Sequence, residues 1–205
     1  MTLSQKTDQQ EFDFEPKASE KRIVVFDLET QLGADEVGGW NNAHLMRIAV
    51  GVAHDSADGE YKVFFEDRVG ELLALLREAD LVVGFNSRRF DYSVLRGYTD
   101  SFLAESLPTF DILEEIQKAL GFRVGLGNLA KNTLGVGKSA DGLQSLKWFR
   151  EGKLDLIARY CEQDVKVTRE LFLFGLEKKY VVYGDKNGKK KNLRVNWDLN
   201  KFFKK

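Results

Sequence analysis

Two carboxylates stand one residue apart in an otherwise apolar run, Ile23-Val24-Val25-Phe26-Asp27-Leu28-Glu29. Read as a β-strand, the run puts residues i and i+2 on one face, so Asp27 and Glu29 project together while Phe26 and Leu28 pack behind them. Adjacent carboxylates on an apolar strand repel each other and resist desolvation, a cost that a hard divalent cation with oxygen ligands removes. The structural alternative is a strand whose end runs into solvent. A third carboxylate, Asp91, follows the apolar run Leu81-Val82-Val83-Gly84-Phe85 and opens a helical segment, where Asp also serves as an N-cap. Tyr160 and Asp164 are spaced i, i+4, on neighbouring turns of one helix face. Their structural alternative is an amphipathic rim with the phenol reaching to water. Each residue has a structural explanation alone. Carboxylates recurring at strand ends and on one helix face point instead to a shared metal-binding centre.

These side chains need a scaffold. With 205 residues, 43% of them hydrophobic and 15 of them Phe, the chain can build one sizeable core, which excludes disorder throughout. Residues 1–20 are polar without an apolar period and are expected to form a flexible leader. Residues 21–178 are expected to form one folded domain, and 179–205 a basic hairpin and tail. Strands are expected at 23–29, Met46–Val52 and Tyr61–Phe65, the last two joined through the Asp-Ser-Ala-Asp-Gly turn at 55–59, so that the three can form a meander. Leu72, Leu73, Leu75 and Leu76 give Val69–Ala79 a helical spacing. The run 81–85, apolar throughout, fits a central strand. Helical segments follow at 91–97, 111–120, 127–134, 141–150 and 153–178. Ile157, Cys161, Val165, Thr168 and Phe172 make one apolar stripe along the last of these. Tyr180–Tyr183 and Leu193–Trp197 flank Gly-Asp-Lys-Asn-Gly, a hairpin signature. The fold class is therefore α/β, with a mixed sheet of a three-strand meander plus parallel strands, flanked by helices and followed by a C-terminal basic β-hairpin.

Charge is unevenly spread. From Lys178 to Lys205 ten Lys/Arg face two Asp, a local +8, which leaves −9 on the first 177 residues under the net charge of −1. A basic end on an acidic body suits a polyanionic partner, or equally a solvated tail. One cysteine excludes an internal disulfide and fits a reducing, cytoplasmic compartment. No signal peptide and no apolar run of membrane-spanning length is visible, so no membrane role is expected.

Phe26-Asp27-Leu28-Glu29-Thr30 resembles the first motif of the DEDD exonuclease superfamily. Gly84-Phe85-Asn86 with Phe90-Asp91 resembles the second, particularly as written in the proofreading domains of family B DNA polymerases. Tyr160-Cys161-Glu162-Gln163-Asp164 resembles the third in its Tyr-x3-Asp form. The His branch carries a His five residues before the last Asp, but Arg159 stands there, so the chain resembles the DEDDy branch. The resemblance covers about residues 22 to 175 and extends to predicted stand-alone ribonuclease H-like exonucleases found near helicases. No polymerase domain accompanies it, so a proofreading role does not carry over.

The resemblance implies a ribonuclease H-like fold and two-metal phosphodiester hydrolysis from the 3′ end. Asp27, Glu29, Asp91 and Asp164 would hold two Mg²⁺ or Mn²⁺ ions, and Tyr160 would position water. Thr30, Asn86, Arg88 and Phe90 are candidate substrate contacts, although Phe90 also fits a core position. Asp111 fits a helix cap, with a supporting role in the site as the alternative. Lys138, Ser139, Lys147 and the polar-aromatic loop at Trp40 are candidates for a substrate groove or for solvent. The expected partner is nucleic acid, single-stranded or at 3′ ends, with DNA slightly favoured by the polymerase-like second motif. A helicase or repair protein is a partner by analogy. A structure-specific endonuclease and a non-catalytic nucleic-acid-binding module are the competing readings.

Overall fold

The structure, a computed structural model, describes residues 21–100, 103–137 and 142–203. The expected leader, Lys138 and Ser139 lie outside the described residues. Strand β1 (Ile23–Thr30) pairs antiparallel with β2 (Ile48–Asp55), which pairs antiparallel with β3 (Glu60–Phe65), completing the meander. Helix α1 (Val69–Glu78) crosses to β4 (Leu81–Gly84), parallel to β1. Two short helices, α2 (Asp91–Leu95) and α3 (Leu103–Ser106), lead to β5 (Thr109–Asp111), parallel to β4. The sheet order is β3-β2-β1-β4-β5. Helix α4 (Ile112–Leu120) and α5 (Leu126–Leu129) follow, and α5 runs into a π-helical turn at Ala130–Leu134. Then come α6 (Gly142–Arg150), the long α7 (Leu154–Lys178) and a separate hairpin of β6 (Tyr180–Gly184) and β7 (Lys190–Arg194). Among the described residues no helix is long and apolar enough to cross a membrane.

The sheet separates two cores. Val24, Phe26 and Leu28 pack with Leu72 and Leu76 of α1 and Tyr92 of α2. On the other face Val25, Val83 and Phe110 pack with Ile157, Cys161, Val165 and Phe172, so the stripe read along α7 is its buried face. The α/β class, the mixed sheet and the terminal hairpin all appear.

Several boundaries differ from expectation. Strand β2 begins at Ile48, not Met46, because Arg47 has a positive φ of 57° and the main chain at Met46 and Arg47 closes a loop with Gln31 and Leu32. The three-residue β5 (Thr109–Asp111) was not expected, since the sequence reading starts a helix at Asp111. The segment 127–134 is not one α-helix but α5 and the π turn. The second hairpin strand is Lys190–Arg194, not Leu193–Trp197, because Tyr180 pairs with Arg194 and the chain beyond leaves to dock its indole.

That docking has a measurable consequence. Trp197 is 5% exposed and lies 5.2 Å from Phe110 and 6.3 Å from Phe172, ring centre to ring centre. A Cβ added at Gly175 would meet its Cζ3 at 2.0 Å. Gly→Ala inside a helix ordinarily stabilises by about 1 kcal/mol. Here Gly175→Ala should instead destabilise, by about 1–3 kcal/mol from overpacking. A urea midpoint at or above that of the unaltered protein would contradict the packing of Trp197 on α7.

Candidate metal centre

Alternation along β1 sends Val24, Phe26 and Leu28 into one core and turns Asp27 and Glu29 towards α6 and α7. Pairing with β2 is regular up to Glu29↔Val50 and then slips to Thr30↔Ile48. An irregularity of this kind bends a strand and re-aims its side chains. Thr30 sits buried at the bend, and its hydroxyl donates to the Leu32 carbonyl at 3.0 Å.

Helix α7 supplies Asp164 from the opposite side. One carboxylate oxygen from each of Asp27, Glu29 and Asp164 lies within 4.8 Å of the others. The Tyr160 hydroxyl, one turn back, donates to Asp164. Ser145, buried on α6, donates to Glu29 Oε2. The Cys161 thiol donates to the Asp27 carbonyl at 3.3 Å and sits 3.6 Å from Asp27 Oδ2. Burial first, then the charges of Asp91, Asp164 and Glu29, holds the Asp27 carboxyl well above the usual carboxylate range. Glu29 is pushed up to about 7, chiefly by burial, against the Ser145 hydrogen bond, which lowers it. Burial, with Asp164 and Glu29 nearby, also raises the Tyr160 phenol, so it stays a donor at neutral pH.

Asp91 lies outside the close trio but couples to it as the largest charge raising Asp27. It is not an N-cap. Phe90 occupies the cap position of α2, and Asp91 begins the helix proper. Its side chain is buried at 2% exposure, its Oδ1 has no hydrogen-bond partner among the described residues, and burial followed by the Asp111 charge raises its pKa. The capping role belongs to Asp111. Its carboxylate accepts from the Leu113 and Glu114 amides of α4 and also from the Asn86 amide at 2.9 Å and the Arg88 amide at 3.0 Å. Asp111 thus fixes the loop that carries Asp91.

That loop is tight. A Cβ on Gly84 would meet Ser87 Oγ at 2.7 Å, and Asn86 takes a left-handed φ of 69°. The Asn86 side-chain oxygen accepts from Arg123 at 2.6 Å. The Arg88 guanidinium donates to the Thr109 carbonyl at 3.0 Å and lies 3.7 Å from Glu114. Phe90 packs partly into the core and meets the exposed Trp40 edge-on at 5.8 Å. Lys147 is on α6 and exposed, and it makes no ion pair with the carboxylates among the described residues.

Ser145, Cys161 and Arg123 are contacts that sequence reasoning missed. Cys161 reads as one member of an apolar stripe, and Ser145 as an ordinary helical serine. Arg123 is remote from every motif.

The residues fit a divalent cation. No Lys or Arg among the described residues pairs with Asp27, Glu29 or Asp91, so no cation among those residues neutralises their mutual repulsion. An orphaned buried carboxylate oxygen such as Asp91 Oδ1 is costly unless something binds it. An all-oxygen donor set selects hard ions such as Mg²⁺ or Mn²⁺.

Comparison with protein-family models matches residues 24–173 to the RNase_H superfamily. No curated protein matches the sequence. Among solved structures, the chain is similar to the family B DNA polymerase from the hyperthermophilic archaeon Pyrobaculum calidifontis, with 18% identity and a TM-score of 0.58 over 76% of this chain. The chain spans only 24% of that polymerase, and the likeness is one of fold. The family match takes in the five-stranded sheet from Val24 onwards and all four carboxylates: the chain belongs to the RNase_H superfamily.

Proposed function

We propose that the chain is a metal-dependent 3′–5′ exonuclease in which Asp27, Glu29, Asp91 and Asp164 hold two Mg²⁺ or Mn²⁺ ions. The observation that carries this reading is the convergence of three carboxylate oxygens from β1 and α7 within 4.8 Å, beside a fourth carboxylate, Asp91, that is buried and has one oxygen, Oδ1, without a hydrogen-bond partner among the described residues. Bound ions would lower the pKa of an attacking water and stabilise charge on the leaving 3′ oxygen. The chain's own part is orientation. Ser145 fixes the Glu29 carboxylate and Cys161 fixes Asp27, so both ligands are held in place before substrate arrives. Tyr160, kept protonated, donates a hydrogen bond and positions water; it does not act as a base. Thr30, next to Glu29, and Asn86 and Phe90, on the Asp91 loop, are assigned to the terminal nucleotide. Arg88, engaged by Thr109 and Glu114, contributes by steadying that loop.

A 5′-labelled single strand, offered as matched DNA and RNA with Mg²⁺ or Mn²⁺, tests polarity and substrate together. Stepwise shortening from the 3′ end, faster on DNA, is expected. A few discrete bands would identify an endonuclease, and an uncut strand would leave a binding module.

A further inference from the structure

The hairpin β6–β7 is held firmly to the body by a route that sequence does not reveal. Asn128 of α5 exchanges two hydrogen bonds with the Gly184 main chain, donating at 2.9 Å and accepting at 2.7 Å. Thr133 of the π turn does the same with Val182, at 2.9 Å each way. Side chains of the helix thus satisfy the outer edge of β6 as a neighbouring strand would, and Val181 is fully buried beneath. The hairpin is therefore a fixed platform.

On that platform Tyr183 pairs across the strands with Lys191, so the two share a face. The Tyr183 ring meets Phe122 edge-on at 6.0 Å, and Phe122, in the loop between α4 and α5, is 50% exposed. The next residue, Arg123, is exposed and reaches Asn86 in the Asp91 loop. Neither Arg123 nor Lys191 has an acidic partner among the described residues, and neither do the neighbouring Lys190 and Arg194. An exposed ring, a half-buried one and unneutralised cations therefore run from the hairpin to the loop that carries Asp91.

The chemistry that fits this line is a single nucleic-acid strand. Bases stack on aromatic faces whatever their sequence, and cations beside the rings meet the phosphates. A polyanion approaching an acidic cluster on a body of charge −9 needs a basic approach, and the hairpin segment at +8 supplies it. We infer that Phe122, Tyr183, Arg123 and Lys191 bind the single strand whose 3′ end reaches the carboxylates. The inference rests on the nuclease reading for where the strand ends; the line of rings and cations stands on its own residues.

The test is binding without catalysis. The full chain in EDTA is titrated against fluorescein-labelled oligothymidylate and oligouridylate, followed by anisotropy over a range of salt. Phe122→Ala should weaken binding about tenfold, roughly the loss of one base stack, and leave the salt dependence unchanged. Phe122→Trp should restore binding. Lys191→Ala should lower the slope of log affinity against log salt by about 0.7, one phosphate contact on a single strand. Arg68→Ala, an exposed cation preceding α1 on the other side of the sheet, should change neither. The inference is overturned if the unaltered protein does not bind, or if Phe122→Ala and Lys191→Ala bind as it does. Displacement of the strand by polyglutamate at equal charge concentration would also overturn it, assigning the line to an acidic peptide. A protein that binds the strand in EDTA yet fails to cut it in Mn²⁺ would sink the nuclease reading and leave this surface standing.

Discussion

Asp27→Asn should lower the rate of phosphodiester cleavage by about a thousandfold or more, equivalent to about 4 kcal/mol in the barrier. The same substitution should make the metal-free protein more stable. Asp27 faces Asp91, Asp164 and Glu29 in a buried setting that disfavours its charge. Asn keeps the shape and can still accept from Cys161, but it removes one of the repelling charges. The gain in EDTA at pH 8 should be about 1–3 kcal/mol, read from urea unfolding. Loss of activity with gain of stability is the mark of a group retained for chemistry. A simply structural Asp27 would lose both. Tyr160→Phe, which removes one hydrogen bond and no ligand, should cost about tenfold in rate. A larger loss than that of Asp27→Asn would overturn the division of roles between them.

Metal-free protein should also lose stability as pH rises from about 4.5 to about 7. The direction follows from Glu29, whose native carboxyl is pushed up to about 7 while the unfolded chain titrates near its ordinary value of 4.5. Between those limits the native state holds a proton that the unfolded state has released, so each rise in pH favours unfolding. Glu29 alone accounts for about 3 kcal/mol over that interval. Asp27 and Asp91, raised by burial and by neighbouring carboxylates, carry the decline further upward. Asp55 acts oppositely but elsewhere. The Arg22 guanidinium first, then Lys62, holds its carboxyl well below the usual range, so its contribution is complete above about 4 and is lost only in stronger acid. Saturating Mn²⁺ should abolish the decline, because the ion binds the deprotonated carboxylates of the native state and not those of the unfolded chain. Urea midpoints at pH 5 and pH 8, with EDTA and with Mn²⁺, check this. A metal-free protein more stable at pH 8 than at pH 5 would contradict a repelling carboxylate cluster.

The parts that sequence makes readable are those governed by a period. Alternation in β1 was enough to set Asp27 beside Glu29, and the four-residue step from Tyr160 to Asp164 put both on one face of α7. The sheet class followed from the order of apolar runs. What sequence could not supply are the contacts made across the fold. Asp91 and Asp111 are both acids at helix starts, and either could cap. Only the packing shows that Asp111 caps and also ties down the loop, while Asp91 is left buried with its Oδ1 unpartnered among the described residues. The slip between Glu29 and Thr30 depends on a loop closure at Arg47, a residue with no turn signature. Ser145 lies 116 residues from the Glu29 that it holds, and no local pattern links them. The end of β7 at Arg194 is set by Trp197 seeking the flat surface at Gly175, a tertiary demand that outweighs the strand propensity of Val195.

The most direct measurement is calorimetric titration of Mn²⁺ into the full chain at neutral pH, beside Asp27→Asn. Saturable binding of two ions by the unaltered protein, weakened or reduced in number by Asp27→Asn, is the expected result. An absence of binding, or identical binding by both proteins, would contradict a metal centre at Asp27, Glu29, Asp91 and Asp164.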